Sequence, residues 1–148
     1  MSLRRTTLVL LAVLATPSCN LETTNVRDAI ALFLEIDKTT ISENEAMSVT
    51  VRAENVGTET LVLSGPSDCL LYIEVINLSG TRVYNSAQSC AGSQVNEVLA
   101  PEAIKEMTFT WSGQHNTGER VIGTFTLRPV ALVSSGARAG PGAVVIVQ

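Results

Sequence analysis

A chain of 148 residues, 45% of them hydrophobic and 16% charged, with net charge −4, is long enough to enclose one core and short for two domains. Ten Lys and Arg against fourteen Asp and Glu exclude a phosphate-neutralising face, and with it nucleic acid as a partner. One His and three Cys could make up a structural zinc site only if all three Cys were spent on the metal rather than on each other, and one Trp, two Tyr and three Phe are too few for a sugar-binding platform.

The first element in chain order is an export signal over residues 1–18. Arg4 and Arg5 form a basic start, Leu8 to Ala15 an apolar run, and Thr16-Pro17-Ser18 a small-residue approach to Cys19. The apolar run is far shorter than the roughly 20 residues that cross a bilayer, so it is expected to engage the export machinery and be removed. Leu14-Ala15-Thr16-Pro17-Ser18-Cys19 resembles a bacterial lipobox, with the Leu displaced from its usual spacing. The expectation is cleavage before a lipidated Cys19, and ordinary cleavage after Ala15 or Ser18 is the competing reading. Cysteine arithmetic favours the first: if Cys69 and Cys90 bond to each other in an oxidising compartment, lipidation removes the odd thiol. Loss of Arg4 and Arg5 makes the mature chain two charges more negative.

Residues 19–28 read as a polar tether, and residues 29–148 as one domain. Within it, apolar residues recur at every second position, the period of strands. Ile30, Leu32, Leu34 and Ile36 alternate along the first. Met47, Val49, Val51 and Ala53 alternate along the next against Ser48, Thr50, Arg52 and Glu54, the pattern of a sheet wet on one face. Asn55-Val56-Gly57 followed by Leu61 and Leu63 reads as a hairpin. Strands through Leu71, Ile73 and Val75, through Val83 and Tyr84, and through Met107, Phe109 and Trp111 follow. Val121 to Val133 carries Phe125 and Leu127, and its Pro129 predicts an edge, a bulge or a strand end. Ser134 to Gly142 reads as a glycine-rich hairpin tip before a last strand, Ala143 to Val147.

About eight short strands with no helical periodicity predict an all-β fold: an immunoglobulin-like antiparallel β-sandwich of about seven to nine strands, with a barrel as the alternative. Trp111, Phe109, Phe125 and Leu127 are the expected centre of its core. A Cys69–Cys90 bridge would pin the Ser86 to Gly92 loop onto the sheet.

Several segments raise and then fail a chemical reading. His115, in the turn Ser112 to Gly118, has no Gly-x-Ser-x-Gly elbow to serve, and a zinc site would need three further ligands. Glu43, Glu45, Glu97, Glu102 and Glu106 lack the Asp-rich spacing of a calcium loop. Ser134 to Gly142 lacks the Gly-Lys-Ser/Thr of a phosphate cradle. The expectation is therefore a non-enzyme with no cofactor and no metal.

An ordered set of short motifs spans roughly half the chain: Val49 to Asn55 with Thr60 to Leu63, Tyr72-Ile73-Glu74-Val75, Gly80 with Val83-Tyr84-Asn85-Ser86, Leu99-Ala100-Pro101-Glu102, Phe109-Thr110-Trp111 and Gly123-Thr124-Phe125. In that order and spacing the chain resembles the intracellular proteinase inhibitor family, the BsuPI-type domain. It departs from the family in Glu102, where a Gly typically follows the Pro, in Tyr84 in place of Trp, and in Cys69 and Cys90. The resemblance implies a sandwich that binds protein, with subtilisin-type serine proteases as the implied partner class. The expected function is thus an exported, lipid-anchored protein-binding module, inhibitor-like, held to the membrane through Cys19. Its contact surface is expected first around Cys69 and Cys90. A structural envelope component that assembles by edge-strand pairing is the alternative.

Overall fold

The structure, a computed structural model, describes residues 29–148, so the expected signal, Cys19 and the tether lie outside the described residues. Eleven strands follow in order: β1 (Ile30–Ile36), β2 (Thr40–Ile41), β3 (Met47–Asn55), β4 (Leu61–Pro66), β5 (Leu71–Asn77), β6 (Arg82–Asn85), β7 (Gln94–Leu99), β8 (Ile104–Trp111), β9 (Gly123–Val133), β10 (Gly136–Ala139) and β11 (Ala143–Val147). A single 3-10 turn, Ser86–Ser89, follows β6. The described residues contain no α-helix.

Two sheets pack face to face. The smaller is antiparallel in the order β1-β3-β8. The larger is built on β9, which holds β11 and then the hairpin partner β10 along one side, and β5 and then β4 along the other. β6 continues outward from β5, β7 from β4, and β2 from β11. The β2–β11 pair is parallel, which makes this sheet mixed. The all-β sandwich is therefore as expected, with more strands than the sequence announced.

Alternation places the core. Met47, Val49, Val51 and Ala53 of β3 face Leu63, Leu71, Ile73, Val75, Leu127 and Val145 of the larger sheet, all buried. Each such aliphatic side chain contributes about 1.5–3 kcal/mol by leaving water. Trp111 is buried at one end of this layer, edge-on to Phe125 at 6.1 Å and 79° and beside Tyr84 at 6.2 Å. Its indole N–H donates to Gln114 O at 2.9 Å, so the polar atom is satisfied within the protein.

Three expectations are corrected. β3 and β4 do not form a hairpin, because β3 lies in the small sheet and β4 in the large one. A turn between two alternating runs looks the same in sequence whether the chain returns beside itself or crosses to the facing sheet. Asn55 holds the crossover. Fully buried, it donates from Nδ2 to Glu59 O at 2.7 Å and to Leu99 O at 2.9 Å, and accepts from the Gly57 amide at 3.0 Å. Its backbone carbonyl accepts from the Glu102 amide at 2.9 Å, and Glu102 sits at φ 65°, a conformation Gly adopts without strain.

Secondly, Ser134 to Gly142 is not merely a hairpin tip, since β10 within it pairs with Val130–Val133. Gly140 and Gly142 then let the chain step from β10 to β11: a Cβ at Gly140 would come within 2.6 Å of Leu32, and one at Gly142 within 2.5 Å of Leu127 O. Thirdly, Pro129 lies in the middle of the longest strand. Its carbonyl accepts from Gly140 N at 2.9 Å, so its missing N–H falls on the side where β10 has ended and β11 has not begun.

Candidate functional site

The chain enters at the end where Ile30 pairs with Asn55 and where the turns 56–60 and 99–103 meet around the Asn55 side chain. The opposite end is defined by Met47 pairing with Trp111 and by Asn77 pairing with Phe125. There the β5–β6 turn and the loop 112–122 border a shallow open groove lined by Leu78, Val83, Val121, Ile122 and Phe125 together with Asn77, Ser79 and Thr124. Leu78 is 83% exposed and Ile122 74% exposed. Two large aliphatic side chains held in solvent beside further apolar surface are costly unless something covers them.

The turns that carry these residues are rigidly built. Asn77 Oδ1 accepts from the amides of Ser79 at 3.1 Å and Thr81 at 2.8 Å, and Gly80 at φ 82° closes the turn. On the facing loop, Asn116 docks onto β6: its Oδ1 accepts from Asn85 N at 2.8 Å, its Nδ2 donates to Asn85 O at 3.0 Å, and its own amide donates to Val83 O at 3.3 Å. A carboxamide thus takes the place of a neighbouring strand. His115, from the same loop, holds Thr117 N and Oγ1 at 3.3 Å through Nδ1 and is a turn residue. Beside it a polar recess of about 290 Å³ runs between Ser89, Thr110 and Gly118.

Cys69 and Cys90 are bonded, with Cα atoms 6.0 Å apart across 21 positions. Asp68 reinforces the clamp by accepting from Ala91 N at 2.9 Å and Gly92 N at 3.0 Å. The Ala91 amide, together with that of Gly92, holds the Asp68 carboxyl below its usual range against the opposing effect of burial. Asp68, Cys69 and Cys90 lie close enough to hold an ion, but the disulfide removes both thiolates from that role. The bridge sits where Leu71 pairs with Ala131, and the exposed residues around it are Ser67, Asp68, Gln88, Ser89, Ala91 and Ser93. It is a polar staple, and Leu78 and Ile122 lie at the other end.

Among the acidic residues singled out in the sequence, Glu45 caps a turn by accepting from Ser42 N at 2.8 Å, and Glu97 pairs with Lys105 at 2.8 Å between the two sheets. Glu43 and Glu106 have no side-chain hydrogen bond or ion pair among the described residues, and no cluster of these carboxylates forms there. Glu74, named in the sequence only as part of Tyr72-Ile73-Glu74-Val75, is the charged group with the most partners. Its carboxylate, 6% exposed, lies on the outer face of β5 between Arg82 Nη1 at 2.7 Å and Arg128 Nε and Nη2 at 2.8 and 2.6 Å. Burial pushes its pKa up, but the hydrogen bonds and charges of the two guanidinium groups outweigh that and hold it below the ordinary 4.5. A carboxyl depressed on folding contributes stability above its unfolded pKa, and loses it as pH falls through the folded value. Denaturant titrations from pH 5 downward are therefore expected to fall less steeply for Glu74→Gln than for the parent, and an identical slope would remove this account.

The chain matches no protein-family model and no curated protein. Solved structures do match. The sporulation control protein Spo0M from Bacillus subtilis superposes with TM-score 0.55 at 9% identity over 81% of this chain and 49% of its own. The alkylpurine DNA glycosylase AlkC from Pseudomonas fluorescens gives 0.52 at 11% identity over 81% of this chain and 30% of its own. The C-terminal domain of Wzt gives 0.50 at 11% identity over 81% and 74%. The chain spans about half of Spo0M and less than a third of AlkC, and at such identities the likeness is one of fold.

Proposed function

We propose that this chain is an exported, lipid-anchored β-sandwich that acts by binding another protein, in the manner of the proteinase-inhibitor-like domains it resembles. The observation that carries the reading is the exposed pair Leu78 and Ile122 flanking an apolar groove at the end of the sandwich remote from Ile30. A domain tethered through residues 19–28 would present that end away from the membrane. Export is supported by the Cys69–Cys90 disulfide, a bond that persists in oxidising compartments. Among the described residues no helix is long and apolar enough to cross a membrane.

Titration of a subtilisin-type protease with the chain is the direct test. Inhibition saturating at one to one, weakened at least about tenfold by Leu78→Asp with Ile122→Asp, is the expected result, since burying even one aliphatic side chain accounts for that factor. Absence of inhibition removes the inhibitor assignment. The anchor is tested separately: Cys19→Ser is expected to release the protein from the membrane fraction, and an unchanged fraction would remove it.

A further inference from the structure

The Cys69–Cys90 bond lies in a setting that works against its own cleavage. A carboxylate oxygen of Asp68, Cys69 Sγ and Cys90 Sγ all lie within 4.8 Å of one another, so a negative charge stands beside both sulfurs. The amides of Ala91 at 2.9 Å and Gly92 at 3.0 Å fix that carboxylate in place, and the chain packs so closely that a Cβ at Gly92 would meet Asp68 Oδ1 at 2.5 Å. The Ser86 carbonyl oxygen adds a second electronegative atom, 3.8 Å from Cys90 Sγ. Cys90 itself caps the C-terminal end of the 3-10 turn, the end that favours cations over anions. Neither of the segments 66–71 and 86–94 contains a Lys, Arg or His. Reactive cysteines occupy the opposite environment, beside a cation or at a helix N-terminus.

We infer that Asp68 guards the Cys69–Cys90 bond against thiol–disulfide exchange, which makes the bridge a lasting staple and not a redox switch. The attacking species in exchange is a thiolate, whose sulfur bonds to one sulfur of the bridge while the other leaves with the electron pair of the broken bond. Access fixes the direction. Cys69 is 4% exposed and Cys90 partly exposed, so the incoming thiolate bonds to Cys90 Sγ and expels Cys69 as a thiolate. The second thiolate of a dithiol reductant then displaces Cys90 from the mixed disulfide. The protein gains the two electrons that the dithiol loses in closing its own disulfide. In the first step one negative charge spreads over three sulfurs in line, and Asp68 stands beside two of them. Like charges about 5 Å apart repel enough, even in water, to slow such a step about fourfold. Asp68 thus serves twice, holding the loop through its hydrogen bonds and repelling the reductant through its charge. This inference uses neither the groove nor the protein-binding reading.

The test compares two reductants on the full chain carrying Cys19→Ser, in which no third thiol takes part. Mercaptoethanesulfonate attacks as an anionic thiolate, whereas tris(hydroxypropyl)phosphine is neutral and brings no net charge to the bond. At about 10 mM salt, Asp68→Asn should speed the thiol reaction at least about fourfold and hold the phosphine rate within about twofold. The excess for the thiol should vanish near 1 M salt, where charges are screened beyond about 3 Å. A purely structural Asp68 would loosen the loop and expose the bond to both reductants, so equal acceleration of the two overturns the inference. A thiol rate unchanged by Asp68→Asn overturns it as well. Should that variant not fold, the Asp68 chain alone decides: its thiol rate should rise at least about threefold from about 10 mM to 1 M salt while the phosphine rate stays level, and a thiol rate indifferent to salt overturns the guard. Leu78→Asp with Ile122→Asp should leave both rates unchanged, so this inference and the proposed function fail separately.

Discussion

Trp111→Ala is expected to lower the unfolding free energy by about 3–5 kcal/mol, the largest single loss available in this domain. The indole is 1% exposed, is wedged between Tyr84 and Phe125, and anchors the start of the 112–122 loop through its bond to Gln114 O. Its removal leaves a cavity that the two facing sheets cannot close, because both are held in register by their own ladders. Urea unfolding followed by circular dichroism measures the change, since the chain has no other Trp to report by fluorescence. The loop carrying Ile122 loses its anchor at the same time, so the groove should lose protection from proteolysis before the sheets unfold. A loss below about 1 kcal/mol would mean that Trp111 does not centre this end of the core.

Replacing Cys69 and Cys90 together with Ser is expected to cost about 3 kcal/mol, the chain-entropy value for reopening a loop of this length. Equilibrium unfolding of the oxidised parent and the double variant gives the number. Asp68 still ties Ala91 and Gly92 in the variant, so local order around 86–93 should survive better than global stability does. A Gly92 amide that exchanges freely in the folded variant would show that the disulfide alone holds the loop.

These two positions also show how differently parts of the molecule are written in the sequence. Trp111 is legible as core because Met107 and Phe109 precede it at period two, and the structure puts all three on the inner face of β8. The disulfide is legible from cysteine count and strand placement. β7 is not legible: its second inward position is Glu97, and Val98 points outward 62% exposed, so alternation is inverted where Lys105 of the other sheet supplies the partner. β10, Gly136 to Ala139, carries no β-branched residue and exists only because Val130–Val133 offers it a ladder. β2 is two residues long and pairs in parallel with the far end of the chain. Asn55 is visible as punctuation but its role is not, since its partner Leu99 lies 44 positions away.

The candidate sites divide in the same manner. Sequence draws attention to Cys19, Cys69, Cys90 and His115, residues with distinctive chemistry. Leu78 and Ile122 carry no motif, and only their placement at the end of two neighbouring strands makes them a surface. Glu74 stands in a motif, but its ion pairs are silent in the sequence, because Arg82 and Arg128 flank it only once β6 and β9 take up register on either side of β5.

Local periodicity by itself determined that the domain is all-β, where most strands run, and that alternate side chains from Ile30 to Val147 form its interior, since the two-residue period of a strand is a property of the backbone. Tertiary structure alone decided which strands share a sheet, which edges stay open and which residues Leu78 and Ile122 come to stand beside. Those outcomes depend on pairings between residues tens of positions apart, and a strand's own pattern states which face is buried without stating what it is buried against.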